Sequence, residues 1–369
     1  MREIRLNIVR NEDLSYSVFM CSSEWGSVLN KVVSSIKPTS VAIVTDTIVS
    51  KLHLRSIVSY LPEGINYVTV EIPAGEKYKT RKMKEYIEDK MLKFGVDRKG
   101  LVIAFGGGVV GDIGGFVAAT YMRGIPFIQV PTTLLSMIDS SIGGKVAVDT
   151  PYGKNMIGSF YQPKAVVINV DFLKTLPSEQ IKNGLAEVIK HAIIADKNFF
   201  DFLLENRNDI LELVNDKLEE LIEVGCSIKK KVVESDEKES GLRKILNFGH
   251  TVGHAIESVS NYKILHGFAV SVGMVIEAQV SNKIGILPKE DLEKIKEILS
   301  LYGLPTSLRE LKLKPRIISD MIRFMRSDKK SISGEIHMSL PKRIGEMIDS
   351  FSLPVEESLI LSVFRDQFI

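Results

Sequence analysis

Four of the six histidines lie between positions 191 and 266: His191, His250, His254 and His266. Neutral imidazoles combined with a carboxylate are a usual ligand set for a catalytic divalent cation that keeps an open position. His250 and His254 are four residues apart in NFGHTVGH, the spacing of one helical face. Glu187 and His191 are likewise four apart, and Lys190 follows Glu187 by three. Spacing alone does not choose among these ligands, and the simplest choice is Glu187 with His250 and His254. His53 and His337 lie outside the cluster and read as structural.

A second group could hold an anion. Asp139-Ser140-Ser141-Ile142-Gly143-Gly144-Lys145 and Gly153-Lys154-Asn155 set lysines beside glycines, as a phosphate cradle requires. Arg123, Lys190, Lys229 and Arg243 add charge, although Lys229-Lys230-Lys231 also fits a solvated helix face. Together these cations suit a substrate with both phosphate and carboxylate groups. A third feature is the run Gly106-Gly107-Gly108-Val109-Val110-Gly111-Asp112, which directly follows an apolar stretch. It satisfies G-x-G-x-x-G, where glycine lets backbone amides approach a pyrophosphate. Residues 113–120 would be the helix facing the phosphates. The acid that usually holds a ribose is absent downstream. Asp46 is the candidate, or else a solvated loop aspartate.

These residues need elements to position them. In the first half, β-branched runs at 40–45, 67–72, 100–105, 127–130 and 165–169 read as buried strands. Helical patterns at 24–35, 48–61 and 79–94 alternate with them, which implies a mostly parallel sheet covered on both faces. From Pro177 the pattern is helical nearly to the end, including 180–195; only 335–340 reads as a late strand. The expected architecture is α/β plus all-α: a Rossmann-like dinucleotide-binding domain over 1–176, then an α-helical metal- and substrate-binding domain over 177–369. A net charge of +2 argues against nucleic acid or an acidic membrane as partner. The start MREIRLNIVRNED has no apolar signal core, and the apolar stretch 101–121 contains Asp112, so a cytoplasmic protein is expected. Cys21 and Cys226 fit no disulfide or thiolate-metal spacing.

Several motifs in order resemble the 3-dehydroquinate synthase family of sugar phosphate cyclases. They are GGGVVGD at 106–112, PTTLL at 131–135, DSSIGGK at 139–145, GKNMIG at 153–158, GLAEVIKHA at 184–192, ESGLRKILNFGHTVGHAIE at 239–257 and LHG at 265–267. The resemblance covers residues 46–330. It implies NAD and one divalent cation, usually zinc with cobalt as the alternative, in a cleft between two domains of a homodimer. The implied reaction takes 3-deoxy-D-arabino-heptulosonate 7-phosphate to 3-dehydroquinate and phosphate, in the shikimate pathway. It runs by transient oxidation, phosphate elimination, re-reduction and intramolecular aldol closure.

The resemblance places the metal on Glu187, His250 and His266, and moves His254 to the substrate side as a proton shuttle. Lys145, Lys190, Asn155 and Arg243 join His254 as implied catalytic residues. The implied substrate contacts are those five with Arg123, Asp139, Lys154, Lys229, Asn247 and Lys329. The implied NAD contacts are Asp46, Glu76, Lys79, Gly107, Gly108, Asp112, Thr132 and Thr133, with Lys145 and Lys154 close by. Three positions depart from the family pattern: Ile48, Val146 and Phe268. Rival readings are iron- or zinc-dependent glycerol-type dehydrogenases, cyclases whose substrates lack the carboxylate, and an NAD-binding sensor without turnover.

Overall fold

The structure is a computed structural model and describes residues 12–327 and 335–368. Strands β1 (Ser17–Cys21), β2 (Ser40–Asp46), β3 (Asn66–Ile72), β4 (Leu101–Gly106) and β5 (Phe127–Pro131) are followed by a hairpin, β6 (Lys145–Thr150) and β7 (Gly153–Phe160), and by β8 (Ala165–Asn169). Six of them form one sheet in the order β3-β2-β4-β5-β8-β1, with every pairing parallel. The central strands β4, β5 and β8 are buried at every position. Buried, mostly apolar runs of this kind form strands because helices cover both faces of the sheet.

The covering helices are α1 (Trp25–Ile36), α2 (Thr47–Ser59), α3 (Arg81–Phe94) and α4 (Gly108–Thr120). The Asp46 side chain starts α2 by accepting from the Ile48 and Val49 amides, a cap worth about 1 kcal/mol. The second half contains α5 (Ser178–Ala195), α6 (Lys197–Glu205), α7 (Arg207–Leu211), α8 (Asn215–Ser235), α9 (His250–Val259), α10 (His266–Lys283), α11 (Lys289–Leu301), α12 (Ile318–Ser327) and α13 (Glu357–Asp366). Helix α5 is buried along nearly its whole length and packs against α10 and α8. One apolar cluster runs from one face of the sheet into α5, α8, α10 and α11, so the core is continuous across residue 176.

Four expectations change. β1 joins the sheet at its edge beside β8; its half-exposed, five-residue pattern gives little signal. The lysine-bearing glycine loops form a hairpin: Lys145 opens β6, and Lys154 and Asn155 lie in β7. β7 is glycine-bearing and largely exposed, and its pairing with β6 makes it a strand. Helix α4 begins at Gly108, inside the glycine run and not after it. The late strand shrinks to His337–Met338, paired with Leu353–Pro354, and a second short pair, Pro341–Arg343 with Glu346–Met347, follows it.

Candidate active site

The chain reverses direction across the sheet between β2 and β4. β3 lies to one side of this point, and β5, β8 and β1 lie to the other. Open parallel sheets bind ligands in the crevice beyond the carboxyl ends of the strands at such a point. Asp46 ends β2 and Gly106 ends β4, side by side in the register. The glycines there have no room to spare. A Cβ on Gly107 would lie 3.0 Å from Thr133 Cγ2, and one on Gly108 would lie 3.1 Å from Ser140 Oγ. One on Gly111 would lie 2.7 Å from Gln129 Oε1, so that glycine serves helix-to-sheet packing. The start of α4 at Gly108 places helix N-terminal amides at the carboxyl ends of β2 and β4, where a dinucleotide pyrophosphate would be held. Both amides that bind Asp46 use Oδ1. Thr133 Oγ1 is shared with Ser136, whereas Thr132 Oγ1 is buried without a partner among the described residues.

Charged side chains lead from this crevice into the helical half. Lys79 contacts Asp112 on α4 and donates to Asn155 Oδ1 at 2.6 Å. Burial opposes charge on Lys79, but Asp112 and then Glu76 outweigh it and raise its pKa. Lys154 Nζ lies 3.2 Å from Glu76 Oε1 and 2.9 Å from Glu257 Oε1 on α9. Glu257 Oε2 is 3.2 Å from His266 Nδ1, and His266 Nε2 is 3.5 Å from Glu187 Oε1.

Glu187, His250 and His266 thus converge, each offering one ligand atom within 4.8 Å of the others. His250 Nε2 is 3.4 Å from Glu187 Oε1. Its Nδ1 is 3.1 Å from the Phe248 carbonyl, which can only accept. Nδ1 therefore carries a proton, which leaves Nε2 as the atom that faces Glu187. The Glu257 carboxylate fixes His266 in the same way. Both Glu187 oxygens are buried without a well-directed hydrogen bond, although the Lys190 ammonium touches Oε2. Burial alone would raise the Glu187 pKa, but Lys190 and then His250 hold it well below the usual carboxylate range. Against the effect of burial, Glu257 and then Glu187 push the His266 pKa up to about 10, so a cation held here displaces a proton from that ring. A buried, ionised carboxylate with an oxygen turned toward the Nε2 atoms of two imidazoles fits a divalent cation.

Helix crossings build this cluster. α5 supplies Glu187, and one turn earlier Asn183 Oδ1 accepts from the Gly267 amide at 2.7 Å, seating the start of α10 and with it His266. Glu277, further along α10, accepts from the Gly249 and Val252 amides at 2.8 and 3.1 Å and holds the start of α9, where His250 lies.

A second trio, Asp139, Glu187 and His191, shares Glu187. Its two carboxylates already have ammonium partners, Lys229 for Asp139 and Lys190 for Glu187. Burial lowers the His191 pKa and keeps the ring neutral, with Nε2 3.6 Å from Asp139. The first trio therefore suits a cation better. His254 lies beside it, its ring centre 5.4 Å from that of His250 and 6.3 Å from that of His266.

On the anion side, Arg243 is only 1% exposed, and its Nε has no partner among the described residues. Its Nη2 donates to the Gly143 carbonyl at 3.3 Å. Burial lowers the Lys229 pKa, with Asp139 opposing, so this ammonium releases its proton more readily than an exposed lysine. Lys145 contacts Glu239, which also accepts from Asn247 at 2.7 Å.

Two expected residues have no place among the contacts described so far. Arg123 follows the C-terminal end of α4, 15 positions beyond Gly108, whereas the glycine loop is at the N-terminal end. A helix of that length separates its ends by about 20 Å. Lys329 lies outside the described residues. The departures take structural places: Ile48 is exposed, Phe268 packs on the core, and Val146 packs where a Cβ on Gly115 would lie 2.4 Å away. Sequence reasoning missed Glu76–Lys154–Glu257 as a linked set and Glu239 as the partner of Lys145. Glu257 lies three residues beyond His254 in GHAIE, and this position on the histidine helix was the available signal.

Comparison with known proteins decides the family. The model described as 3-dehydroquinate synthase N-terminal matches residues 69–183, and that described as 3-dehydroquinate synthase C-terminal matches 184–331. This chain belongs to the 3-dehydroquinate synthase family. A 3-dehydroquinate synthase of Thermodesulfovibrio yellowstonii is 48% identical over 319 residues, which is 86% of this chain and 88% of the relative. One of Desulforamulus reducens is 46% identical over 357 residues, 95% and 96% of the two chains.

Among solved structures, the 2-epi-5-epi-valiolone synthase of Streptomyces hygroscopicus subsp. jinggangensis, with NAD+ and Zn2+ bound, has a TM-score of 0.87 at 26% identity, covering 98% of this chain and 99% of that one. A 2-deoxy-scyllo-inosose synthase complexed with carbaglucose-6-phosphate, NAD+ and Co2+ has the same TM-score and identity over 95% and 96%. A probable glycerol dehydrogenase of Sinorhizobium meliloti, at 13% identity and a TM-score of 0.69, shares the fold. This chain is therefore a family enzyme with the expected α/β plus helical architecture. No helix among the described residues is long and apolar enough to cross a membrane.

Proposed function

We propose that this chain converts 3-deoxy-D-arabino-heptulosonate 7-phosphate to 3-dehydroquinate and phosphate, with NAD and a divalent cation, zinc or cobalt, as resident groups. The observation that carries this reading is that β7 bridges the two halves: Asn155 accepts from Lys79 beside the glycine loop, and the adjacent Lys154 reaches Glu257 and, through it, His266 of the cluster of Glu187, His250 and His266. It ties the dinucleotide half, residues 1–176, to the cation half, residues 177–369.

Glu187, His250 and His266 hold the cation, and the crevice lined by Asp46, Gly107, Gly108, Asp112, Thr132 and Thr133 holds NAD. When bound, NAD supplies reversible oxidation at a substrate hydroxyl and the cation supplies Lewis acidity there. The protein's own groups orient the substrate and move protons. Lys145, Lys154 and Asn155 hold the phosphate. Lys229, Arg243 and Asn247 hold the carboxylate, with Asp139 fixing Lys229. Lys190 keeps Glu187 ionised, and His254 exchanges a proton with the substrate. Arg243 and Lys229 favour a carboxylate-bearing substrate over those of the inosose and valiolone cyclases.

The enzyme acts in the cytoplasm as a homodimer. Arg123, at the opposite end of α4 from the glycine loop, contacts substrate in the site of the second copy. A mixture of protein, NAD, zinc and the heptulosonate phosphate should release phosphate and carbocycle in equal amounts with no net NADH. Chelation should stop both. Accumulation of NADH with the substrate would instead indicate a dehydrogenase and overturn the proposal.

A further inference from the structure

Glu257 touches both halves of the site. It is 2% exposed, too buried for a carboxylate to be there without strong partners. Its two oxygens have separate duties. Oε2 accepts from His266 Nδ1 at 3.2 Å, and Oε1 accepts from Lys154 Nζ at 2.9 Å. Lys154 belongs to the β7 hairpin of the dinucleotide half, and it also stands 3.2 Å from Glu76 and 4.9 Å from the centre of the Tyr262 ring. The reach of a single side chain therefore joins a cation-binding imidazole to an anion-holding ammonium across the cleft.

We propose that Glu257 is a positioning residue that couples the cation site to the phosphate site: one oxygen orients His266 and the other holds Lys154 in place. This inference rests on the roles given above to His266 and Lys154. Glutamine has the same shape but only one accepting oxygen, so it can serve one partner and not both. A residue that merely packed α9 against α10 would tolerate that change, because volume and shape are kept.

The test uses the full-length protein and the variants Glu257→Gln, Lys154→Gln and their double. Zinc affinity is read by competition with a chelator, and kcat and KM for the heptulosonate phosphate are read at saturating zinc and NAD. In Glu257→Gln, zinc affinity should fall about 10- to 100-fold, the usual effect of losing the partner of a ligating histidine. KM should rise as it does in Lys154→Gln, and the double variant should show no further rise, because the two residues act through one contact. Lys154→Gln alone should lower zinc affinity less than Glu257→Gln does, because Oε2 still accepts from His266.

Wild-type zinc affinity in Glu257→Gln, or a KM unchanged at saturating zinc, overturns the coupling. If Glu257→Gln does not fold, Glu257→Asp carries the test. The shorter carboxylate cannot span both partners, so an aspartate variant equal to wild type in zinc affinity and KM overturns it equally. Zinc binding is measured without turnover. A wild-type protein that binds zinc but releases no phosphate from this substrate would overturn the functional reading and leave the His266 arm standing.

Discussion

In Glu187→Gln, turnover falls about a thousandfold or more, because the cation supplies several kcal/mol of charge stabilisation and each 1.36 kcal/mol is a factor of ten. The substitution keeps the volume of a side chain that is fully buried on α5. It removes the charge that faces His250 and His266, and with it the grip on a divalent cation. It also leaves the Lys190 ammonium, only 1% exposed, without its partner. Breaking a buried ion pair costs about 3–5 kcal/mol, so the fold weakens as well. Cation content and melting temperature are therefore measured beside turnover. A folded variant with full turnover and no bound cation would contradict the assignment.

The second large effect is expected at a residue with no side chain of its own. In Gly267→Ala the new Cβ would lie 2.0 Å from the carbonyl oxygen of Asn183. That contact is with backbone, so no side chain can turn away from it. The start of α10 must move off α5, at a stability cost of about 1–3 kcal/mol or more. His266 is the preceding residue, and Glu187 lies one turn beyond Asn183, so this movement separates two ligands of the same cation. Zinc affinity should drop about a hundredfold, comparable with the loss of an orienting partner. Gly225→Ala on α8 is the control. Its Cβ would meet Ile138 at an ordinary 3.4 Å, and zinc affinity should not change. Equal affinity in wild type and Gly267→Ala would show that the seating of α10 does not set the site.

The two cases show what the sequence could and could not reveal. The glycine run was readable because a strand, a tight turn and a helix N-terminus each demand particular residue types in order. The imidazole cluster was readable as a cluster. Its membership was not, because His191, His250, His254 and His266 all have acceptable helical spacing. Only the crossing of α5, α9 and α10 selects His250 and His266 to meet Glu187. The family resemblance had implied that selection before any geometry was available.

Glu257 and Glu239 were invisible for a related reason. A glutamate on a helix or in a polar loop carries no mark of its partners, and both become site residues only through contacts with distant Lys154 and Lys145. Exposure misled in the other direction at β7. Its residues lack the alternation of a half-buried strand, and its order comes from pairing with β6 and from the packing of Val146 on α4 at Gly115.

The central claim is that Glu187, His250 and His266 hold one cation beside the dinucleotide crevice. Anomalous diffraction at the zinc absorption edge, from crystals of the protein with NAD and zinc, tests it directly. One peak should lie at about 2.0–2.2 Å from a Glu187 oxygen and from Nε2 of both His250 and His266. A peak between Asp139 and His191, or none within reach of Glu187, would contradict it.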